Sequence, residues 1–196
     1  MARRPLAVAI TGGIAAGKSE ALAAFARRGA AVASSDEVVH RVYREDAELR
    51  TVLRAHWGDG VFGPDGEVDR ARVGRIVFAD REELAWLERQ IHPRVVHAHE
   101  VWLEELRSRD EPPALAVVEV PLLYETGGER RFDKVVVVTA PAAVRERRRS
   151  GFTEREPRLV PEEEKLGRAD FAFVNDGTLA ALDAFVADVV ERLSSC

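Results

Sequence analysis

Five short apolar runs recur along the chain, at residues 6–11, 30–33, 114–120, 134–139 and 171–175. Each is bounded by turn residues, and helical patterns fill the intervals between them. Runs of this length read as buried strands. Residues 135–139, within the fourth run, form an unbroken β-branched stretch, as a strand covered on both faces requires. After the first run, residues 20–28 place Ala21, Leu22, Ala24 and Phe25 on one helical face, and Gly29 supplies the stop. After the second run, a helix through Val38, Val39 and Val42 follows Asp36 directly, so that Asp36 is a candidate cap for it.

Four further helical stretches then come with no strand between them. Asp46 opens one that carries Leu49, Val52 and Leu53. Beyond the Gly63-Pro64-Asp65-Gly66 turn, Asp69 caps one through Val73, Ile76, Val77 and Phe78. Asp80 and Glu83 form a capping box for one with Leu84, Leu87 and Ile91 inward, which His92-Pro93 ends; Pro93 starts the next, to about Arg109. A final helix spans residues 179–193. The pattern predicts an α/β fold with a doubly wound, five-stranded parallel sheet, a helical subdomain inserted at about 37–111 and a short lid at about 145–168. The core then comprises about 1–36, 112–144 and 169–196, in one domain of 196 residues.

Between the first strand and its helix lie Gly12, Gly13, Ile14, Ala15, Ala16, Gly17, Lys18 and Ser19, a match to the phosphate-loop pattern in the strand–turn–helix setting it needs. Glycines let successive N–H groups point into one concavity, and the helix N-terminus adds partial positive charge. Lys18 is placed to reach the outer phosphates, and the Ser19 hydroxyl to ligate Mg²⁺. A nucleoside triphosphate with Mg²⁺ is the expected ligand. Asp36 falls where a strand ends at the sheet edge that holds ligands in open α/β folds. Glu119 is a carboxylate within an apolar strand; unpaired burial would be costly, so it should face the site, where a metal or its waters offer a partner, an edge-facing surface glutamate being the competing reading. Arg145, Arg147, Arg148, Arg149, Arg155 and Arg158 follow the fourth strand, where a mobile lid could bring cations to a transferring phosphate. A solvated helix face is the competing reading.

Composition narrows the classes. A net charge of −5 offers no basic excess for nucleic acid. No stretch approaches the eighteen apolar residues of a membrane span, and the first five residues lead into a strand, not a signal-peptide core. The single cysteine gives no disulfide framework and fits a reducing cytoplasm.

Several local patterns, in order across nearly the whole chain, together resemble the dephospho-CoA kinase family. They are Thr11-Gly12-Gly13-Ile14, Asp36 after strand two, Val77-Phe78 ahead of His92-Pro93, Glu119-Val120-Pro121-Leu122-Leu123-Tyr124-Glu125, Lys165-Leu166 with Ala169-Asp170, and Asn175-Asp176-Gly177. The resemblance implies transfer of the ATP γ-phosphate to the ribose 3′-hydroxyl of dephospho-CoA on a nucleoside-monophosphate-kinase fold. It also implies catalytic roles for Lys18, Asp36 and the lid arginine Arg148. The loop with Glu20, Asn175 and Gly177 would hold ATP, with Asn175 and Gly177 near adenine; Ser19 and Glu119 would hold Mg²⁺. His92, Pro121, Leu122, Leu123 and Glu125 would meet dephospho-CoA. A monomer or weak homo-oligomer in the cytoplasm is expected, with a small-molecule partner and no nucleic acid or membrane. Another small-molecule kinase of this fold and an ATP-binding regulator with little turnover are the alternatives.

The chain departs from the family pattern in three places. The loop reads Ala15-Ala16-Gly17-Lys18-Ser19-Glu20 where Gly-Ser-Gly-Lys-Ser-Thr is usual. Strand two ends in Ser34-Ser35-Asp36 rather than Asp-Ala-Asp, and the lid is about five residues short without its usual glutamine. Alanine serves in such a loop where φ is negative.

Overall fold

The structure, a computed structural model, describes residues 4–148 and 159–195. It divides into two compact units, one of residues Met1–Ser34 with Leu103–Cys196 and one of Ser35–Trp102.

The first unit is built on five parallel strands: β1 (Leu6–Gly12), β2 (Ala31–Ser34), β3 (Leu115–Glu119), β4 (Lys134–Thr139) and β5 (Phe171–Val174), in the order β2-β3-β1-β4-β5. Period-two alternation sends successive side chains of the central strands into different layers. Val8, Ile10, Val136 and Val138 join one apolar cluster, and Ala9, Val135 and Val137 join another. Both faces are therefore covered, which is why β4 can carry four valines in a row, Val135 to Val138. The first cluster is completed by α1 (Lys18–Arg27) and α8 (Leu179–Ser194), through Phe25, Leu182, Val186 and Val189. Burying Phe25 alone is worth about 1.5–3 kcal/mol. Arg27 and Arg28 both reach Asp183, tying α1 to α8. Gly29, at φ +83, ends α1 as the sequence predicts.

The second unit consists of α2 (Ser35–Glu45), α3 (Ala47–Trp57), α4 (Arg70–Ala79) and the portion of α5 (Arg81–Arg107) that precedes Leu103. Its core gathers Tyr43, Leu49, Leu53, Val61, Phe62, Val73, Val77, Leu87 and Ile91. Asp46 and Asp69 cap α3 and α4, accepting from the N–H groups of Leu49 and of Ala71 and Arg72. Burial favours the protonated Asp46, but the Leu49 N–H and the Arg94 guanidinium hold its pKa below the ordinary value.

Three local expectations are corrected. Pro93 does not divide the helix: α5 runs 27 residues straight through it. An interior proline costs about 3 kcal/mol. Leu87 and Ile91 before it and Val95 after it pack into the same core, which outweighs that cost, and the Arg94 guanidinium donates to the Gln90 carbonyl beside the lost bond. The capping box at Asp80 is only half formed. Asp80 accepts from the Glu82 N–H, while the Glu83 carboxylate is taken by His56 and the Trp57 indole N–H. Finally, Asp36 is not a cap. α2 starts at Ser35, so Asp36 lies exposed within its first turn.

Candidate active site at the phosphate loop

Residues 12–19 connect β1 to α1, and three non-standard backbone conformations shape them. Gly12 has φ +139, and a Cβ there would stand 1.8 Å from the Val138 carbonyl oxygen. Gly17 has φ +104, with the Asn175 amide nitrogen 2.4 Å from where its Cβ would be. Ala15 has φ +58. The condition under which alanine serves in such a loop, a negative φ, is not met at Ala15, whose side chain is held in the region that favours glycine. Ala16 is fully buried, and its N–H reaches the Gly13 carbonyl.

α1 starts at Lys18 with Gly17 as its N-cap, a residue that gives the helix start no side-chain cap. An uncapped ten-residue helix end directed by a glycine-rich loop suits an anion. The Lys18 ammonium is folded back over this turn, donating to the carbonyls of Gly13 at 2.8 Å and Gly12 at 3.4 Å. Ser19 is exposed on the first turn, and its hydroxyl lies 3.5 Å from Glu119 Oε1. Glu119 is buried in β3, not on an outer edge: in register it stands opposite Ile10 on one side and Ser34 on the other. Glu20 is exposed beside Ser19, where a carboxylate favours the helix start. Asp36 follows Ser34 by two residues.

The arginine segment splits. Arg145 is buried, donates from Nε to the Ala140 carbonyl and pairs with Glu162 at 3.5 Å; it is a structural strut. Arg148, at the end of α6 (Ala142–Arg148), directs its guanidinium to the loop, 3.4 and 3.3 Å from the carbonyls of Ala15 and Ala16. Arg149, Arg155 and Arg158 lie outside the described residues. Asn175, just past β5, is buried and donates through Nδ2 to the Ala16 carbonyl at 2.8 Å. Gly177 is exposed with open space around it.

After β3, Leu123 is fully buried in the core with Ala9, Val135 and Val137, whereas Pro121 and Leu122 remain partly exposed. Glu125 pairs at 2.7 Å with Lys165, itself almost wholly buried on α7 (Glu162–Gly167), and accepts from the Val160 N–H. His92 is partly buried on α5, in the second unit. Burial raises the pKa of the neighbouring Tyr124 phenol, whose ring carries the Arg168 guanidinium.

Sequence reasoning missed Glu162. Its carboxylate accepts from the Thr139 hydroxyl, and its Oε1 lies 2.4 Å from where a Gly13 Cβ would be. It sits in the run Glu162-Glu163-Glu164, which reads as a solvated helix start, and only the fold brings it to the loop.

A glycine-rich turn between a central parallel strand and a helix, with a lysine over it and a serine–carboxylate pair beside it, defines a phosphate-loop kinase. The family model for dephospho-CoA kinase matches residues 6–181. The chain is 41% identical to the dephospho-CoA kinase of Mesorhizobium japonicum and 35% to that of Thermobifida fusca, covering 96% of both chains in each case. Among solved structures, a Thermus thermophilus protein superposes with a TM-score of 0.78 at 35% identity, covering 97% of this chain and 98% of that one. The dephospho-CoA kinase of Campylobacter jejuni gives 0.72 at 25% identity, covering 96% and 97%. The chain belongs to the dephospho-CoA kinase family: it is a kinase that uses ATP to phosphorylate dephospho-CoA in coenzyme A synthesis.

Proposed function

We propose that the chain transfers the ATP γ-phosphoryl group to the ribose 3′-hydroxyl of dephospho-CoA at the residue 12–19 loop. The observation that carries this assignment of the site is the Lys18 ammonium held over an uncapped helix start, beside the Ser19–Glu119 pair. Phosphoryl transfer rests on positioning and charge neutralisation more than on covalent chemistry. The loop N–H groups hold the β- and γ-phosphates, and Lys18 leaves its carbonyls for the oxygens that gain charge. Arg148 adds a second cation from α6. Asp36 orients the attacking hydroxyl and accepts its proton, since a late transfer needs only an acceptor nearby.

The Ser19 hydroxyl and the Glu119 carboxylate are hard oxygen donors, which fit Mg²⁺. That ion commonly takes one or two protein oxygens and completes its shell with water and phosphate. When bound, Mg²⁺ neutralises phosphate charge.

On the acceptor side, His92, Pro121 and Leu122 meet dephospho-CoA. Leu123 and Glu125 act from beneath, holding that segment to the core and to Lys165. Gly177 leaves room for adenine, and Glu20 closes the loop's outer end. This reading carries with it a cytoplasmic enzyme, monomeric or weakly associated, whose partner is a small molecule. No helix among the described residues is long and apolar enough to cross a membrane. The test is ADP release with Mg²⁺ and ATP in the presence of dephospho-CoA, adenosine or AMP. Stimulation by dephospho-CoA alone is expected, and equal rates with all three would refute the acceptor assignment.

A further inference from the structure

The crest of the phosphate loop is braced from outside, and the brace centres on Asn175. Its backbone is fixed first, since the Asn175 N–H donates to the Thr139 carbonyl at 2.7 Å and continues the β4–β5 ladder. The residue is only 3% exposed, and both ends of its carboxamide are in use. Nδ2 donates to the Ala16 carbonyl at 2.8 Å, and Oδ1 accepts from Arg148 at 3.4 Å. Arg148 in turn reaches the carbonyls of Ala15 and Ala16. The contact is possible only because Gly17 has no Cβ, which would stand 2.4 Å from Nδ2.

This brace falls where the loop most needs one. Ala15, at φ +58, occupies a conformation that is unfavourable for a residue with a Cβ, so an unsupported loop would drift from it. In a planar trans peptide the carbonyl and the following N–H point in opposite directions. Fixing the Ala16 carbonyl on Asn175 therefore turns the Gly17 N–H the other way, ready to donate to an anion.

We propose that Asn175 is a positioning residue: it holds the phosphate loop in its binding conformation, and its effect is on the triphosphate rather than on adenine. The proposal rests on the loop's being the ATP site. It differs from the alternative role that the position of Asn175 near Gly177 suggests, a contact to the base.

The two roles separate with a ligand that has no base. Binding of Mg²⁺·ATP and of Mg²⁺·tripolyphosphate is measured by calorimetry on the full chain, for wild type, Asn175→Ala and the isosteric Asn175→Asp, which keeps the shape but loses the donor. Measurement well below the melting temperature, with melting curves alongside, separates loop geometry from global stability. One hydrogen bond's worth of preorganisation corresponds to about a 3- to 10-fold loss of affinity. The expected result is a loss of that size, by the same factor for both ligands, in both variants. Weaker ATP binding with unchanged tripolyphosphate binding would overturn the proposal in favour of a base contact. Unchanged binding of both ligands in Asn175→Asp would overturn it in favour of a purely structural side chain. Wild-type protein that binds neither ligand would sink this assignment together with the ATP-site reading.

Discussion

Gly12→Ala should be among the most damaging single changes in the chain, and its cost can be worked out from the backbone. The added Cβ would lie 1.8 Å from the Val138 carbonyl oxygen, where 3.4 Å is the near limit of ordinary contact. About 1.6 Å must therefore be found, the difference between those two distances. The obstacle is backbone, not the tip of a flexible side chain. Gly12 and Val138 are register partners in the central β1–β4 pair, and Val138 is fully buried. Moving it means overpacking the core, at about 1–3 kcal/mol, and weakening one or two ladder hydrogen bonds at about 1 kcal/mol each. Holding alanine at φ +139 adds about 1–3 kcal/mol. The sum, about 3–8 kcal/mol, is comparable with the whole stability of a marginal domain. For a chain of this size it corresponds to a melting point roughly 6–32 °C lower. Gly29→Ala is the control. It too sits at positive φ, but nothing lies within 4 Å of its added Cβ, so only the conformational cost of about 1–2 kcal/mol applies. Thermal melts followed by circular dichroism compare the two. A Gly12 variant melting no lower than the Gly29 variant would refute the argument from close approach.

Lys18→Ala removes a preorganised cation from the forming transition state and should lower turnover roughly 10²–10³-fold; steady-state kinetics within tenfold of wild type would mean that this loop does not hold the reacting phosphate. Asp36→Asn should leave melting nearly unchanged, because Asp36 is exposed in a first helical turn and caps nothing, yet slow turnover at least about tenfold by removing the proton acceptor. Full activity would remove Asp36 from the mechanism. Asp183 is held well below the ordinary carboxylate range, chiefly by hydrogen bonding to Arg28 and then to Arg27. A depressed pKa stabilises above the unfolded value of about 3.9 and is lost as pH falls below it. Asp183→Asn should therefore melt lower than wild type at about pH 7, by a small margin because the pair is solvent-screened, and the gap should close on acidification toward about pH 2. A gap that widens in acid would contradict the linkage.

The sheet was legible because buried parallel strands leave long apolar runs, and the loop because its glycines, lysine and serine are contiguous. Glu119 could be anticipated from a local conflict, a carboxylate among valines. What could not be read depended on long-range competition. Pro93 looked like a helix end because a proline's local cost is visible in sequence, whereas the packing of Leu87, Ile91 and Val95 that outweighs it is not. Arg145 and Arg148 are three residues apart in one basic run, yet one is a buried strut and the other lies on the loop. Only the fold separates them. The same holds for the Lys165–Glu125 pair and for Glu162, whose partners are distant in sequence. The φ of Ala15 could not be read at all, because a residue type does not fix a backbone angle that neighbouring elements impose.

The account rests on transfer to one hydroxyl, and the product tests that most directly. The enzyme is incubated with dephospho-CoA, Mg²⁺ and ATP labelled in the γ-phosphate, and the position of the label on the product is mapped by phosphorus–proton correlation NMR and by 3′-specific nucleotidase. The account predicts one equivalent of label on the ribose 3′-oxygen, released completely by the nucleotidase. Label at any other oxygen, or ADP formed without a labelled acceptor, would contradict it.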